Sequence, residues 1–552
     1  MDAEKKTIRE YDVIVVGAGF AGLYMLYRLR EMGLKTLVLE AGEGVGGTWF
    51  WNRYPGARCD VESMEYSFSF DEDLQKDWNW TEKYATQPEI LKYLEHVAER
   101  FELYDDIRLS TRVASMELDE PTATWTVSTE DGDVYACRYA VMATGCLSSW
   151  RMPEFAGQSD YEGEIYHTGA WPHGGVDFSG KRVGVIGTGS SGIQAIPEIG
   201  KQAAQMTVFQ RTANFSVPAR NRLLEAGEQD EFKARYPEVR AFERASFGGT
   251  SWKLNPKTAA EMSAEEQEAE LRRRWDEGGA QYMFAFADSL VSEETNAIAQ
   301  KFIRERIKEI VKDPATAELL CPNTHPIGSK RICVDTNYYA TFNEPHVDLV
   351  NLRATPLDTI TAKGIRTADG VEREFDAIVF ATGFDAMTGA LERIEIRGRE
   401  GVALKDKWKD GPTSYLGLAV AGFPNMFTIT GPGSPSVLSN MVVSIEQHVD
   451  WIVDCLKHLD ATGFGMVEAQ QHAEDGWVRH ASELAHMTLF PKAASWYMGA
   501  NVPGKPRVFM PYVGGVGPYR QRCDEIASAG YPGFSFAVPA EAEAEAPVAA
   551  TA

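Results

Sequence analysis

Apolar positions along the chain follow two alternating patterns. Short runs that are typical of buried strands precede residues 17 and 187 and recur at residues 36–39, 207–209, 347–352 and 376–380. Longer stretches, in which apolar residues recur every three or four positions, are typical of helices and occupy residues 23–31, 193–205, 264–277, 295–312 and 442–459. Strands that alternate with helices in this way predict an α/β chain that contains two β-α-β units.

A glycine-rich loop joins strand to helix in each unit. The first loop is Gly17-Ala18-Gly19-Phe20-Ala21-Gly22, and the second is Gly187-Thr188-Gly189-Ser190-Ser191-Gly192. Between a strand and a helix, such glycines let the main chain turn tightly and approach a pyrophosphate at the helix N-terminus. Alternatively, the two loops could be structural turns that bind no ligand. The strand–turn–helix context that both loops share disfavours this alternative. We therefore predict two Rossmann-like dinucleotide-binding domains.

The two loops differ at the position that selects the nucleotide. Glu40 and Gln210 each lie 23 positions after the first glycine of their loop, and Arg211 follows Gln210. A carboxylate at this position accepts hydrogen bonds from ribose hydroxyls but repels a 2′-phosphate, whereas a neutral residue followed by arginine admits the phosphate. The sequence therefore predicts FAD on the first loop and NADP(H) on the second.

Composition narrows the function classes. The 552 residues carry a formal net charge of −25 and are 44% apolar, so two or three domains are expected and nucleic acid and anionic membranes are disfavoured as partners. No apolar run reaches about 18 residues, so no membrane span is expected. The charged first residues, followed by an apolar run broken by glycines, predict a strand and a phosphate loop rather than a signal peptide.

The cysteines carry no metal or dithiol motif. All seven lie far apart, at positions 59, 137, 146, 321, 333, 455 and 523, and none forms a C-x-x-C pair. This spacing disfavours a zinc ribbon and the redox-active pair that disulfide reductases need. The odd count and wide spacing favour a reducing, cytoplasmic location, and no metal site is predicted.

The same patterns suggest how the chain is divided. Residues 1–147 and 390–540 are predicted to form a discontinuous FAD-binding domain, and residues 148–222 and 331–389 an NADP-binding domain. Residues 223–330 are charged and helix-periodic, which predicts a helical insertion. An Ala-Thr-Gly turn ends each nucleotide domain at residues 143–145 and 381–383, and the acidic tail 541–552 is predicted to be disordered.

Residues 161–172, between the two loops, point to a family. The segment Tyr161-Glu162-Gly163-Glu164-Ile165-Tyr166-His167-Thr168-Gly169-Ala170-Trp171-Pro172 resembles the fingerprint F-x-G-x-x-x-H-x-x-x-W-P of type I Baeyer–Villiger monooxygenases, with Tyr161 in place of Phe. The resemblance extends from Tyr11 to about Phe536. It includes residues 46–60 and 494–501, while the loop 433–441 is similar to the longer substrate loop of the phenylacetone and steroid monooxygenase branch.

This resemblance implies an enzyme that contains FAD and uses NADPH and O2 to convert ketones to esters or lactones through a flavin peroxide anion. Arg331 would stabilise the anion and Asp60 would orient Arg331, because a guanidinium, with a pKa above ~12, stabilises a peroxide without protonating it. Without the resemblance, Asp60 could equally be a loop cap and Arg331 a surface charge. His167 and Trp171 could include a catalytic base, but we favour a role in pinning the linker between the nucleotide domains, because they follow a strand-poor, proline-rich linker.

The family pattern also assigns binding residues. FAD would contact Gly17, Gly19, Gly22, Glu40, Thr48, Trp49, Phe50, Trp51, Asp60, Tyr66 and Val113. NADP would contact Arg58, Cys59, Asp60, Gly187, Thr188, Gly189, Ser190, Ser191, Gly192, Gln194, Arg211, Thr212, Lys330, Arg331 and Trp496. The substrate pocket would be lined by Leu147, Val437, Leu438 and Met441. The tryptophans could instead be ordinary core residues, and Lys330 could form a surface salt bridge.

Three other classes share the two loops. A flavin monooxygenase that oxidises nitrogen or sulfur would not need Arg331 with Asp60, and its linker motif typically ends in another aromatic residue where Trp171-Pro172 stands. An NADPH oxidase would release peroxide without consuming a ketone. A redox sensor without enzymatic activity would leave the aromatic and charged segments unexplained. The expected partners are therefore a small ketone and O2, and the oligomeric state is not predicted.

Overall fold

The computed structural model describes residues 8–538, so the predicted tail 541–552 lies outside the described residues. Its largest sheet has eight strands. These strands are Arg9–Val16, Thr36–Leu39, Ile107–Arg108, Val113–Asp119, Thr124–Thr129, Val134–Met142, Glu395–Arg397 and Met426–Thr428. Arg9–Val16 lies between Thr36–Leu39 and Val134–Met142 and pairs in parallel with both. Met426–Thr428 extends the parallel part along residues 140–142, which brings a late segment of the chain into the first sheet.

A second, five-stranded sheet holds the second glycine loop. Its order is Val347–Asn351, Gln205–Gln210, Arg182–Ile186, Ala377–Phe380 and Glu164–His167, and all the pairs are parallel. Three smaller sheets pair Ser216–Pro218 with Cys333–Asp335, Leu357–Ile360 with Gly364–Thr367 and Glu372–Glu374, and Met466–Ala469 with Phe534–Ala537. The two β-α-β units predicted from the apolar runs are therefore confirmed.

The described residues also form sixteen α-helices. They are Phe20–Glu31, Thr48–Trp51, Glu72–Asp77, Gln87–Arg100, Ser190–Gly200, Ala226–Ala234, Tyr236–Ala245, Ala264–Glu277, Glu293–Ile310, Pro314–Leu320, Tyr338–Thr341, Gly389–Glu392, Leu404–Lys407, Met441–Thr462, Gln471–His486 and Val516–Ser528. The helix predicted at 193–205 begins and ends earlier. Its last buried apolar residue is Ile199, and the chain then turns so that Gln205 begins the next strand. No helix among residues 8–538 is long and apolar enough to cross a membrane.

The helices of residues 223–330 pack on different cores. Tyr236, from Tyr236–Ala245, belongs to the core around the first glycine loop, and Arg240 of the same helix donates to the main-chain oxygen of Glu65 at 3.0 Å. Leu271 and Phe302, from two later helices, belong to the core of the second sheet. The segment thus joins the two sheets, and the proposed division of the chain into domains stays a prediction.

Candidate active site

The two glycine loops have the same internal packing. Gly17 and Gly187 have φ values of +105° and +113°, which favour glycine. A Cβ on Gly17 would lie 2.6 Å from the Ala143 oxygen, and one on Gly187 would lie 2.4 Å from the Ala381 oxygen. Each Ala-Thr-Gly turn therefore abuts the first glycine of its own loop.

Both loops suit a bound pyrophosphate. A Cβ on Gly22 would lie 1.8 Å from the Gly17 oxygen, and one on Gly192 would lie 2.3 Å from the Gly187 oxygen, so each following helix packs directly on its loop. Gly19 and Gly189 are the N-caps of these helices, and neither helix has a side-chain cap. The first-turn N–H groups are thus available to an anion at both helix N-termini.

Glu40 lies inside the first loop. It is 4% exposed, and its carboxylate accepts hydrogen bonds from the main-chain N–H groups of Ala18 and Gly42, each at 2.7 Å. Burial raises the pKa of Glu40, and these N–H groups oppose the rise. The carboxylate is fixed beside the loop, where it suits the hydroxyls of a ribose.

Gln210 occupies the matching place in the second unit with different partners. It is 4% exposed, and its Nε2 donates to the main-chain oxygen of Leu319 at 2.7 Å. Arg211 is exposed beside it, and Thr188 Oγ1 donates to the Thr212 oxygen at 3.0 Å. Burial lowers the pKa of Lys330, and the charge of Arg211 lowers it further.

Residues 46–51 cover the first loop. A Cβ on Gly47 would lie 2.9 Å from the Cα of Gly19. Trp49, in the short helix Thr48–Trp51, donates from Nε1 to the Tyr66 hydroxyl at 3.2 Å. Tyr66 also packs edge-on against Phe20, with ring centroids 5.2 Å apart. Phe50 is buried, whereas Thr48 and Trp51 are half-buried, so this predicted set lies together beside the loop.

The following residues bridge to the second unit. Tyr54 donates to Gln194 Oε1 at 2.8 Å, and Gln194 Nε2 donates to the Arg58 oxygen at 3.1 Å. A Cβ on Gly56 would lie 2.4 Å from the main-chain oxygen of Gln194. Arg58 itself pairs with Glu82 at 3.1 Å. The segment that ends at residue 60 is therefore fixed against the helix that follows the second loop.

Arg331 and Asp60 form a bidentate ion pair between the two units. Arg331 Nε and one terminal nitrogen each donate to the Asp60 carboxylate at 2.8 Å, and the other terminal nitrogen donates to the Val437 oxygen at 2.6 Å. The side chains are 29% and 22% exposed, respectively. Asp60 is thus not merely a loop cap, and Arg331 is not an unpaired surface charge.

The ion pair stays charged. Burial would raise the pKa of Asp60, but Arg331 outweighs it and holds this pKa below its usual value. Burial would lower the pKa of Arg331, but Asp60 raises it. Beside them, burial raises the pKa of the Cys59 thiol, as does the charge of Asp60, so Cys59 remains a neutral thiol.

The predicted pocket residues lie in one apolar cluster. Val437 is buried in it, and Leu147, Leu438, Met441 and Trp496 pack against it. The cluster also contains Tyr497, which sequence reasoning missed. Burial raises the pKa of Tyr497 to about 12; the charge of Arg331 opposes this rise, and that of Asp60 adds to it. The apolar cluster therefore borders the ion pair.

His167 lies at the edge of the second sheet. It ends the strand Glu164–His167, and the residues between Met142 and Glu164, which precede this strand, form no strand, as expected of a strand-poor linker. It is 1% exposed. Its Nδ1 accepts from the Gly169 N–H at 3.0 Å, and its Nε2 lies 3.2 Å from Thr382 Oγ1. Burial lowers its pKa to about 4, so the ring is neutral and ties this edge to the second Ala-Thr-Gly turn.

The remaining predicted residues lie around the two loops. Val113 is buried at the start of its strand in the first sheet, and Ser190 Oγ lies 3.4 Å from Cys333 Sγ. Sequence reasoning also missed Arg353, which contacts Arg211 and Thr212. Its signal was its place just after the apolar run 347–352, since parallel strands end at a common edge. Among residues 8–538 no cluster of potential metal ligands occurs.

Comparison with known proteins agrees with this geometry. The family described as pyridine nucleotide-disulphide oxidoreductase matches residues 14–242. The chain is 43% identical over 527 residues to the phenazine N-monooxygenase of Lysobacter antibioticus, covering 95% of this chain and 96% of that one. It is 42% identical over 525 residues to a Baeyer-Villiger monooxygenase of Pseudooceanicola batsensis, covering 95% of each.

A solved structure has a similar fold and was determined with NADP bound. The structure of oxidized steroid monooxygenase bound to NADP superimposes with a TM-score of 0.92 at 52% identity, covering 96% of this chain and 99% of that one. All seven cysteines of the present chain are free, so the disulfide in the description of the matched family has no counterpart here. The chain belongs to the Baeyer–Villiger monooxygenases, flavoproteins that use FAD, NADPH and O2 to convert ketones to esters or lactones.

Proposed function

We propose that Arg331 is the catalytic cation of this enzyme and that Asp60 is its positioning residue. The single observation that supports this best is the bidentate pair at 2.8 Å, which, together with the bond to the Val437 oxygen, fixes the guanidinium between the two units and beside the apolar cluster. When bound, FAD and NADPH supply the reducing equivalents and the activation of O2. The chain supplies a fixed positive charge where negative charge develops on oxygen.

The guanidinium suits this role because it does not act as an acid. Its pKa is raised further by Asp60, against the effect of burial, so it stabilises an oxyanion without donating a proton to it. Asp60 orients the charge and reduces the cost of burying it. The bond to the Val437 oxygen links the cation to the predicted pocket wall, so substrate binding and charge placement depend on the same residues.

The proposal extends to the residues that would hold the two cofactors. The first loop with Glu40 would bind FAD, whose ring would lie towards Trp49 and Tyr66. The second loop would bind NADP(H), with Arg211, Thr212 and Lys330 at the 2′-phosphate. Trp496 would cover the nicotinamide from the apolar cluster. Free cysteines throughout the described residues support a cytoplasmic location.

The substrate class proposed for the pocket is a neutral, largely apolar ketone. Leu147, Leu438 and Met441 present hydrocarbon and thioether groups to the cluster, and Arg331 borders it through its bond to the Val437 oxygen. A ketone oxygen directed at Arg331 would place its carbon skeleton against these side chains. Anionic substrates would be bound less well by the apolar wall.

Replacing Arg331 tests the proposal. In Arg331→Ala, NADPH is expected to reduce the flavin at a rate similar to that of the parent, while ester formation from phenylacetone or cyclohexanone falls at least ~100-fold. Consumption of NADPH should then appear as hydrogen peroxide. Arg331→Lys, which keeps the charge but loses the bidentate pair, should recover only a small part of the ester yield.

Flavin reduction, peroxide and ester are measured on the same samples. Full ester yield from Arg331→Ala would remove Arg331 from the chemistry. A parent enzyme that produces peroxide in place of ester with every ketone tested would contradict the proposed substrate class. Parallel assays with phenazine test a second candidate activity, oxidation at an aromatic nitrogen, which is suggested by the name of the 43% identical relative.

A further inference from the structure

Arg353 follows the outermost strand of the second sheet. That strand, Val347–Asn351, pairs in parallel with Gln205–Gln210, so that Asn351 lies opposite Gln210. Since parallel strands end at the same edge, Arg353 and Arg211 leave the sheet side by side, although 142 positions separate them in the sequence. Both side chains are exposed at this edge.

Arg353 is tied to the residues that follow Gln210. Its Nε donates to the Arg211 main-chain oxygen at 2.9 Å, and one terminal nitrogen donates to Thr212 Oγ1 at 3.3 Å. Its own N–H donates to Asn351 Oδ1 at 3.0 Å, which fixes the turn after the strand. Arg353 therefore orients the main chain that carries Arg211 and adds a charge beside it.

Arg211 and Arg353 lie side by side here, and Lys330 lies near enough to be affected by the charges of both. We call Arg211, Lys330 and Arg353 the cation cluster. Within the part of the chain that the structure describes, none of the three forms an ion pair with a carboxylate, although the sequence has 80 acidic residues against 55 basic ones. Burial lowers the pKa of Lys330, and the charges of Arg211 and Arg353 lower it further. Three like charges held together this way are stabilised when an anion binds among them.

We propose that Arg353 is a third cation of the 2′-phosphate site and the residue that orients Arg211, so that selection of NADPH over NADH depends on three residues rather than two. This inference rests on the proposed assignment of the second loop to NADP(H). Arg353 would then be a specificity-determining residue that lies outside the glycine-loop motif of the second unit.

Binding of nucleotide fragments tests the inference without turnover. The ligands are 2′,5′-ADP and ADP, which differ by the 2′-phosphate, and their dissociation constants are measured by calorimetry on the FAD-loaded protein. In Arg353→Met, affinity for 2′,5′-ADP should fall about 10-fold, while affinity for ADP changes less than about twofold. The salt dependence of 2′,5′-ADP binding should also weaken, because one cation is lost.

Comparison variants separate the possible failures. Arg366→Met removes an exposed arginine that pairs with Asp358 at 3.1 Å, and it should bind both ligands like the parent. Parent-like binding of 2′,5′-ADP in Arg353→Met, with losses in Arg211→Ala and Lys330→Ala, would overturn the inference and leave the proposed function standing. Parent-like binding in all three variants would overturn the assignment of the 2′-phosphate site itself.

Discussion

Gly19 and Gly189 occupy the same place in the two loops and have nearly the same conformation, with φ −84°, ψ −164° and φ −86°, ψ −170°. Their surroundings differ. A Cβ on Gly19 would lie 3.3 Å from the Cα of Gly47, whereas one on Gly189 would have no described atom within 4 Å. The same loop is therefore covered by its own chain in the first unit and left open in the second.

The residues proposed to select the nucleotide differ in the same way. Glu40 is held by two main-chain N–H groups of its own loop region, while Gln210 donates to Leu319, and Arg211 and Arg353 lie exposed beside it. Under the proposed assignment, the first unit would select its ligand through a buried carboxylate held by hydrogen bonds. The second would select through exposed arginines, which suits a nucleotide that enters and leaves during turnover.

The largest loss of stability and FAD binding is expected from adding a methyl group at Gly22 in the first loop. In Gly22→Ala the new Cβ would overlap the Gly17 oxygen at 1.8 Å, so the helix must move away from the loop. We expect the variant to be insoluble or to lose FAD, measured as flavin absorbance per protein. Gly189→Ala, whose Cβ meets no described atom, should keep FAD and the parent melting temperature.

NADP⁺ binding completes this test. Gly189→Ala should weaken it, because a methyl group would stand where the pyrophosphate approaches the main chain. If Gly22→Ala retained stoichiometric FAD, or if Gly189→Ala lost it, the contrast between a covered and an open loop would be wrong.

Much of this contrast could be predicted from local sequence. The glycine spacing, the apolar runs and the difference between Glu40 and Gln210 are all encoded within about 25 neighbouring positions, where hydrophobic period and turn chemistry act directly. The same reasoning missed the edge strand Glu164–His167. That strand pairs on one side only and exposes Glu164, so it lacks the apolar run that marks a buried strand.

Other parts depend on contacts across the chain. Asp60 and Arg331 are 271 positions apart, and no local pattern links them, so only the family resemblance brought them together before the structure did. Arg353 required knowledge of the strand order, and Tyr497 required the packing of the apolar cluster. The hydrophobic period of residues 223–330 predicts helices but not the elements they pack against. It therefore could not predict that these helices divide between two cores.

Replacing Gln210 with the residue found at the matching position, Glu40, tests whether the second unit selects its nucleotide by charge. Gln210→Glu would place a carboxylate beside the 2′-phosphate and against the Leu319 oxygen. We expect NADP⁺ affinity to fall about 10- to 100-fold, with NAD⁺ affinity changed much less, because only the 2′-phosphate is repelled. Dissociation constants for both nucleotides, measured on the FAD-loaded enzyme, give the ratio.

The reciprocal change is the control. In Glu40→Gln one main-chain N–H, from Ala18 or Gly42, would face an amide NH2 group instead of an oxygen. FAD retention should fall, while the ratio of NADP⁺ to NAD⁺ affinity stays at the parent value. Equal losses of both nicotinamide nucleotides in Gln210→Glu would indicate a general disturbance of the loop instead of selection by charge.

The smallest expected effect concerns a buried carboxylate next to the first unit. Glu65 precedes Tyr66, is 1% exposed and accepts from the Ser251 N–H at 3.1 Å. Burial, with the neighbouring Glu243, raises the pKa of Glu65 to about 8. The folded protein therefore binds a proton that the unfolded chain releases near pH 4.5, and stability contributed by this group falls as pH rises from that value to about 8.

Glu65→Gln removes this titration and keeps a similar shape. Between pH 6 and pH 8.5 the melting temperature of the parent should fall by about 2–4 °C more than that of the variant, since a shift of this size is worth a few kcal/mol in a chain this long. Scanning calorimetry of both FAD-loaded proteins at the two pH values measures the difference. Parallel pH profiles would mean that Glu65 is already ionised in the folded protein at these pH values. The first unit would then hold a buried charge, whereas the second holds exposed ones.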